Sequence, residues 1–378
     1  MIFFESKNPL GPIRTVRVSD FTQFGVFYQR LSPGLNVILG ENGAGKTHFL
    51  KLCYAVTRSL YPSGPARAET IPAPELLGGT IADKLVACFL PDSLGRLCRR
   101  GAGAARLTTV EIDFQDAGDV AFSIRPHDRK AVKLIRTPDI WPDKGWGSPV
   151  FVPTREVLTL FPNFIAAYQR EHIGFDETYY DLLLALAAPL AREAAEDKRV
   201  APIVRRLEKA LDGQLIVDKG TGRFAVKRGR YEFEIPLLAE GQRKLAMLVH
   251  MLKSGALVQG ATLYWDEPEA NLNPRLMVPL ARSLVDLAGL GLQIVAASHS
   301  LFFVRELAYW QDIVRRKRAD AAPEPVFLSF VPGERGIEVE RGADLNDLIT
   351  VAALDEALRQ DHRMDAFYLD GDIEDVGT

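Results

Sequence analysis

The sequence predicts an α/β fold: a mixed β lobe, a parallel-sheet core and a helical insertion. Three observations predict it. The apolar run 35–39 leads into the glycine-rich stretch Gly40-Glu41-Asn42-Gly43-Ala44-Gly45-Lys46-Thr47, and 48–56 then reads as a helix. Two more apolar runs, 261–265 and 293–296, flank the helix-period segment 276–287, the pattern of a strand–helix–strand crossover. Residues 157–212 carry apolar positions at helical spacing, as in Tyr180-Asp181-Leu182-Leu183-Leu184-Ala185-Leu186.

The remaining elements follow in order. Strands are expected over 13–18 and 25–28, before Pro33 and Gly34 punctuate the approach to the third strand. Residues 61–82, rich in Pro, Gly and Ala, read as a surface loop. Residues 108–114 and 120–124 alternate apolar and polar side chains, as a hairpin does, and 137–149 reads as a loop before the short strand Val150-Phe151-Val152. Short strands are expected at 215–217, 223–226 and 231–235, and a helix from near Gln242. Beyond residue 300 the pattern is helix at 301–318, two strands within 325–341, and helix at 345–361. The acidic run Asp370-Gly371-Asp372-Ile373-Glu374-Asp375 reads as a solvated tail or docking peptide.

A chain of 378 residues with 47% hydrophobic content can bury a sizeable core. Its net charge of -3 gives no global bias toward nucleic acid or membrane. The basic clusters Arg315-Arg316-Lys317-Arg318 and Arg96 to Arg106 read as solvated faces, with a DNA contact as the alternative. Cys53, Cys88 and Cys98 show no C-x-x-C spacing and read as free thiols in a reducing compartment. The N-terminus lacks the features of a signal peptide, and no apolar stretch approaches the ~20 residues that cross a bilayer. A soluble cytoplasmic protein is expected.

The chemistry lies in four short stretches. The first, Gly40 to Thr47, fits G-x-x-x-x-G-K-[ST] at every fixed position. Between a strand and a helix N-terminus, the amides from Gly40, Glu41, Asn42, Gly43, Ala44 and Gly45 through His48 form a cradle for phosphates. Lys46 would reach the β and γ phosphates, and the Thr47 hydroxyl would ligate Mg²⁺. The second is Leu263-Tyr264-Trp265-Asp266-Glu267-Pro268, an apolar strand ending in paired carboxylates. Asp266 would hold Mg²⁺, and Glu267 would orient and deprotonate the attacking water. The third, Leu238-Ala239-Glu240-Gly241-Gln242, opens a helix, and the fourth, Ala297-Ser298-His299-Ser300, follows a buried strand.

In this order the four stretches resemble the ATP-binding-cassette (ABC) ATPases, which implies an ABC-type P-loop ATPase head that uses ATP and Mg²⁺. The first and second stretches then correspond to the Walker A and Walker B elements. The resemblance makes Leu238 to Gln242 the cassette signature, in which Gly241 and Gln242 would bind the γ-phosphate held by the opposite subunit. His299 resembles the switch histidine, catalytic with Glu267. Glu269-Ala270-Asn271-Leu272-Asn273-Pro274 resembles the loop that couples the two composite sites of a homodimer. Ala239 stands where the family usually has Ser, which implies weaker ATP-driven dimerisation or slow turnover.

The chain divides on this reading into an N-terminal lobe with the glycine loop (1–156), a helical insertion with short strands (157–234), the signature, paired carboxylates and switch histidine (235–305), and a C-terminal α/β extension with the acidic tail (306–378). The wording of its motifs resembles the soluble RecF-like and SMC-like ATPases. Val152-Pro153-Thr154-Arg155-Glu156 and Asp266 to Leu272 look most like the stand-alone AAA-family or overcoming-lysogenization-defect (OLD)-like branch. The insertion is too short for a coiled-coil arm, and the roughly 80 residues after His299 are too few for a full domain such as a Toprim nuclease. The reading is therefore an ATP-gated dimer that controls a separate effector, a nuclease or toxin of a bacterial defence module. A RecF-like DNA-repair clamp, with nucleic acid as partner, and a transporter's ATPase subunit are the alternatives; no membrane partner is expected. Arg155 would contact nucleotide or partner, or form an ion pair with Glu156 or Asp176. Gln115 is a weak candidate for a Mg²⁺-sensing glutamine.

Overall fold

Strand β3 (Leu35–Gly40) is buried along its whole length because it lies inside a six-stranded sheet. On one side it pairs in parallel with β13 (Val326–Gly333), and on the other with β12 (Gln293–Ala297). The parallel run continues through β11 (Thr262–Asp266) to β7 (Val150–Val152). An antiparallel strand, β14 (Gly336–Gly342), closes the far edge. The computed structural model describes residues 11–61, 74–100, 106–139, 147–161, 163–170, 174–188, 190–191, 194, 197–218, 223–317 and 323–370.

Alternate residues of these strands face opposite ways, so each strand feeds two cores. Leu35, Val37, Trp265 and Ile294 enter one, while Ile38, Tyr264, Val295 and Ala297 enter the other. Burial on both faces explains why the strands read as unbroken apolar runs. One core is covered by α1 (Lys46–Ser59), α2 (Pro74–Phe89) and an antiparallel sheet. That sheet has the order β2 (Phe24–Arg30), β1 (Ile13–Phe21), β4 (Thr108–Phe114), β5 (Gly118–Ile124), β6 (Lys133–Arg136). The other core is covered by α3 (Asn163–Arg170), α4 (Glu177–Leu186), α5 (Ala201–Ala210), α6 (Glu240–Ser254), α7 (Pro274–Gly289) and α8 (Leu301–Lys317). A small sheet of β8 (Gln214–Val217), β9 (Phe224–Arg228) and β10 (Tyr231–Glu234) completes that side, and α9 (Ala352–Asp370) ends the described chain.

Two buried amides weld the layers. Gln293 donates from Nε2 to the carbonyls of Ile13 and Ser32, each at 2.8 Å, and its Oε1 accepts the Ile13 N–H at 2.8 Å. Asn36 donates to Ile294 across the sheet at 3.1 Å and accepts the Ser32 N–H at 2.7 Å. On the opposite flank, Lys51 of α1 pairs with Asp176 at 2.8 Å, and Lys84 of α2 pairs with Asp181 at 2.9 Å and Glu177 at 3.0 Å. Tyr54 donates to Asp181 at 2.6 Å. The helix that follows the glycine loop is thus clamped to α4.

The expected loop at 61–82 needs correction. Helix α2 starts at Pro74, and Leu77, Ile81, Leu85 and Cys88 are all buried. Their spacing is that of one helical face, and it outweighs the Pro, Gly and Ala around them. Residues 62–73, 140–146 and the tail from 371, including Asp372, lie outside the described residues. Cys53, Cys88 and Cys98 are buried free thiols, and burial pushes Cys53 and Cys88 above the ordinary thiol range. Among the described residues no helix is long and apolar enough to cross a membrane.

A buried histidine gives the fold an acid-sensitive point. His250 of α6 donates from Nε2 to the Leu186 carbonyl at 2.9 Å, while its buried Nδ1 has no partner. Burial lowers its pKa from the ordinary 6.5. The folded state therefore favours the neutral ring, and the unfolded chain takes up the extra proton. This contribution to stability is complete above pH 6.5 and declines as pH falls from there through the depressed folded value. His48 is lowered by burial in the same direction. His250→Gln keeps a donor for Leu186 and removes one titrating group. In thermal melts across pH it should shallow the acid decline by up to about 1.4 kcal/mol per pH unit within that window; an unchanged slope would show that His250 does not contribute.

Candidate active site

The carboxyl ends of four neighbouring parallel strands meet at one place, where open α/β sheets bind their ligands. β3 delivers the glycine loop, β11 delivers Asp266 and Glu267, β12 delivers Ser298 and His299, and β7 delivers Thr154.

The loop itself is shaped for an anion. Gly43 and Gly45 have φ of 83° and 89°, the left-handed region that favours glycine. A Cβ at Gly43 would meet only open space, while one at Gly45 would strike Gln23 and Phe24 of the β1–β2 turn. Gly45 caps α1 with no side-chain hydrogen bond, so the first amides of the helix are left for a ligand. Lys46 folds back and donates from Nζ to the carbonyls of Gly40 at 2.7 Å and Glu41 at 2.8 Å. Burial lowers its pKa, opposed by the charges of Glu267, Asp266 and Glu269.

Thr47 donates to Asp266 Oδ2 at 2.8 Å, and Thr154 reaches the same oxygen at 3.4 Å. Burial raises the Asp266 pKa, and these hydroxyls oppose the shift. Glu267 has a φ of 49°, unusual for a residue with a side chain, and its N–H bonds the Ala297 carbonyl at 2.9 Å. Its carboxylate lies 3.3 Å from His299 Nδ1, and the His299 side chain is 51% exposed. Glu269 is buried behind them. Its Oε1 accepts from Ser298 Oγ at 2.7 Å and from the N–H groups of His299 at 3.1 Å and Ser300 at 3.2 Å. This one carboxylate ties the loop after β11 to the loop after β12.

The residues singled out as a signature lie elsewhere. Ala239 is the exposed N-cap of α6 and carries no side-chain cap. Gly241 packs on its own chain's Asn271 and Leu272, where a Cβ would sit 2.8 Å from the Asn271 carbonyl. Among the described residues no hydrogen bond joins 239–242 to the glycine loop. Arg243 pins the approach to the helix, donating to Leu238 at 2.9 Å and Pro236 at 3.2 Å, and pairing with Glu156 at 2.7 Å.

Arg155 pairs with neither carboxylate considered for it: Glu156 is taken by Arg243 and Asp176 by Lys51. Gln115 sits in the β4–β5 turn, its N–H on the Pro12 carbonyl at 2.9 Å, away from the convergence. The hydroxyl beside Asp266, apart from that of Thr47, is that of Thr154. Thr154 went unrecognised in the sequence, although it follows a strand as Glu267 and Ser298 do.

The chain is similar to known proteins in part of its sequence and in its fold. Residues 122–305 match the family described as "AAA domain, putative AbiEii toxin, Type IV TA system". The matched segment holds Asp266, Glu267 and His299 and begins after the glycine loop. No curated protein matches the chain. Among solved structures, an SMC head bound to the C-winged helix domain of ScpA aligns with a TM-score of 0.54 at 14% identity, covering 92% of this chain and 99% of that one. An Smc head with an extended coiled coil, bound to the C-terminal domain of ScpA derived from Pyrococcus furiosus, aligns with a TM-score of 0.50 at 11% identity, covering 93% of this chain and 99% of that one. At such identities the likeness is one of fold.

Proposed function

We propose that the chain, which has an SMC-like head fold of the ABC-type P-loop kind, binds and hydrolyses ATP with Mg²⁺ in a head-to-tail dimer, and that this cycle controls a separate effector. The observation that carries the reading is the meeting of the glycine loop, Thr47, Asp266, Glu267 and His299 at the carboxyl ends of neighbouring strands, with the 239–242 element attached elsewhere on the same chain.

The side chains present fit both groups. Oxygen donors from Thr47, Asp266 and Thr154 suit a small hard cation, and uncapped amides at the start of α1 suit phosphates. Bound Mg²⁺ would neutralise charge on the phosphate oxygens. Lys46 exchanges the Gly40 and Glu41 carbonyls for phosphate oxygens. Glu267 accepts a proton from the attacking water, and His299 orients the Glu267 carboxylate. Glu269 holds His299 in place through the backbone. In the dimer, the N-terminus of α6 in one copy, where Ala239 is exposed, meets the phosphates held by the other and brings Gly241 and Gln242 beside them. Ala239 adds no hydroxyl there, which favours slow turnover. Two supports point to an effector. The matched family carries a toxin–antitoxin description, and the solved SMC heads are bound to a partner protein. The Lys51–Asp176 pair and the Tyr54–Asp181 hydrogen bond connect the helix after the glycine loop to α4, a path for passing the nucleotide state outward.

Light scattering on the purified chain tests the dimer. Saturating ATP with Mg²⁺ should double the molar mass seen without nucleotide; an unchanged monomer mass would contradict the composite site.

A further inference from the structure

Lys244 belongs to α6, four residues past the start of the helix, and is only 1% exposed. An ammonium buried this deeply needs partners. Among the described residues its Nζ makes one hydrogen bond, to the backbone carbonyl of Glu267 at 3.2 Å. Among the described residues it forms no ion pair, although an ammonium carries three donors. The carboxylates that act on it are Glu240 of its own helix and then Glu269, Glu267 and Asp266 of the catalytic turn. Across from it, Glu269 has a buried oxygen, Oε2, with no partner, while Oε1 holds the Ser298–Ser300 loop. A buried cation with unused donors and a buried carboxylate with an unused acceptor therefore flank the same short turn, Glu267-Pro268-Glu269.

We propose that Lys244 is a positioning residue that ties the signature helix to this chain's own catalytic turn, holding Glu267 by its carbonyl and Glu269 by charge. Glu267 depends on such support because its backbone sits in the left-handed region, with the Ala270 N–H at 3.1 Å as the other donor to its carbonyl. The inference rests on the composite site proposed above. When the N-terminus of α6 engages the nucleotide held by the partner copy, the same helix sets its own chain's Glu267 and, through Glu269, its own His299. The two sites of the dimer are then coupled through one buried lysine in each chain.

The test uses the full chain carrying Lys244→Met, which keeps the volume and removes the charge and the donors. Three readouts are taken: kcat and KM for ATP, the thermal midpoint, and amide hydrogen exchange without nucleotide. The expected result is a kcat lower by about a hundredfold with KM unchanged, since a misplacement near 1 Å has that effect. The midpoint should stay close to that of the unsubstituted chain. Exchange should quicken at Ala270, His299 and Ser300 and remain unchanged along α1. Lys244→Gln, which retains a donor for the Glu267 carbonyl, should recover part of both kcat and protection, and it carries the test if the Met variant does not fold. Unchanged kcat and unchanged exchange would overturn the proposal, as would faster exchange spread evenly over α1 and α6. If the unsubstituted chain neither dimerises nor hydrolyses ATP, the composite site fails, and the exchange pattern still decides whether Lys244 holds the turn.

Discussion

Glu267→Gln should lower ATP hydrolysis by about 10²–10⁴-fold, the range associated with a lost general base. The substitution is close to isosteric, and the position is held by backbone: the Glu267 N–H on Ala297 and its carbonyl under Lys244 and Ala270. The side chain should therefore remain beside His299 and lose only its ability to take a proton. Binding is expected to survive, because Lys46, Thr47 and Asp266 are untouched. The consequence is a chain that closes on ATP and does not reopen. Phosphate release measured alongside retention of radiolabelled ATP on the dimer separates these effects. Hydrolysis near the unsubstituted rate would remove Glu267 from the chemistry.

Lys46→Met should have the second largest effect, on binding. Hydrogen bonds from a charged donor contribute about 1.5–3 kcal/mol each. Lys46 makes two, to Gly40 and Glu41, and would exchange them for phosphate oxygens. Their loss corresponds to a fall in ATP affinity of roughly a hundredfold or more. Stability without nucleotide should change little, because Lys46 is already penalised by burial and a methionine fills the same space. Titration calorimetry and the ATP-induced rise in melting temperature read the loss together. Retention of the full ATP-induced rise would contradict a phosphate role for Lys46.

These residues were legible in the sequence because the chemistry of each lies in consecutive positions. Gly40 to Thr47 carries its own turn, cap and cation, and Asp266-Glu267 and His299 each end a strand visible as an apolar run. The fold class followed from the same runs, since strands buried on both faces are continuous. What escaped depends on contacts between distant segments. Thr154 reaches Asp266 only because β7 pairs with β11, a partnership no local pattern announces. Glu269 stood beside the paired carboxylates, but its hold on the Ser298–Ser300 loop needs β11 and β12 side by side. Lys244 left a faint trace as a charge on the apolar face of a helix, a position where a lysine is seldom free. Helix α2 was hidden by composition, although Leu77, Ile81, Leu85 and Cys88 repeat every four residues or fewer.

The composite site can be tested with two chains that each fail alone. Lys46→Met removes the phosphate cation and leaves its signature element intact. Ala239→Glu places a carboxylate on the exposed N-cap of α6, where it repels the partner's phosphates and leaves its own glycine loop intact. A mixed dimer of the two holds one complete site, with the loop from the Ala239→Glu chain and the signature from the Lys46→Met chain. ATP hydrolysis of the mixture should rise well above the sum of the separate chains. A mixture no more active than that sum would contradict a site shared between two copies.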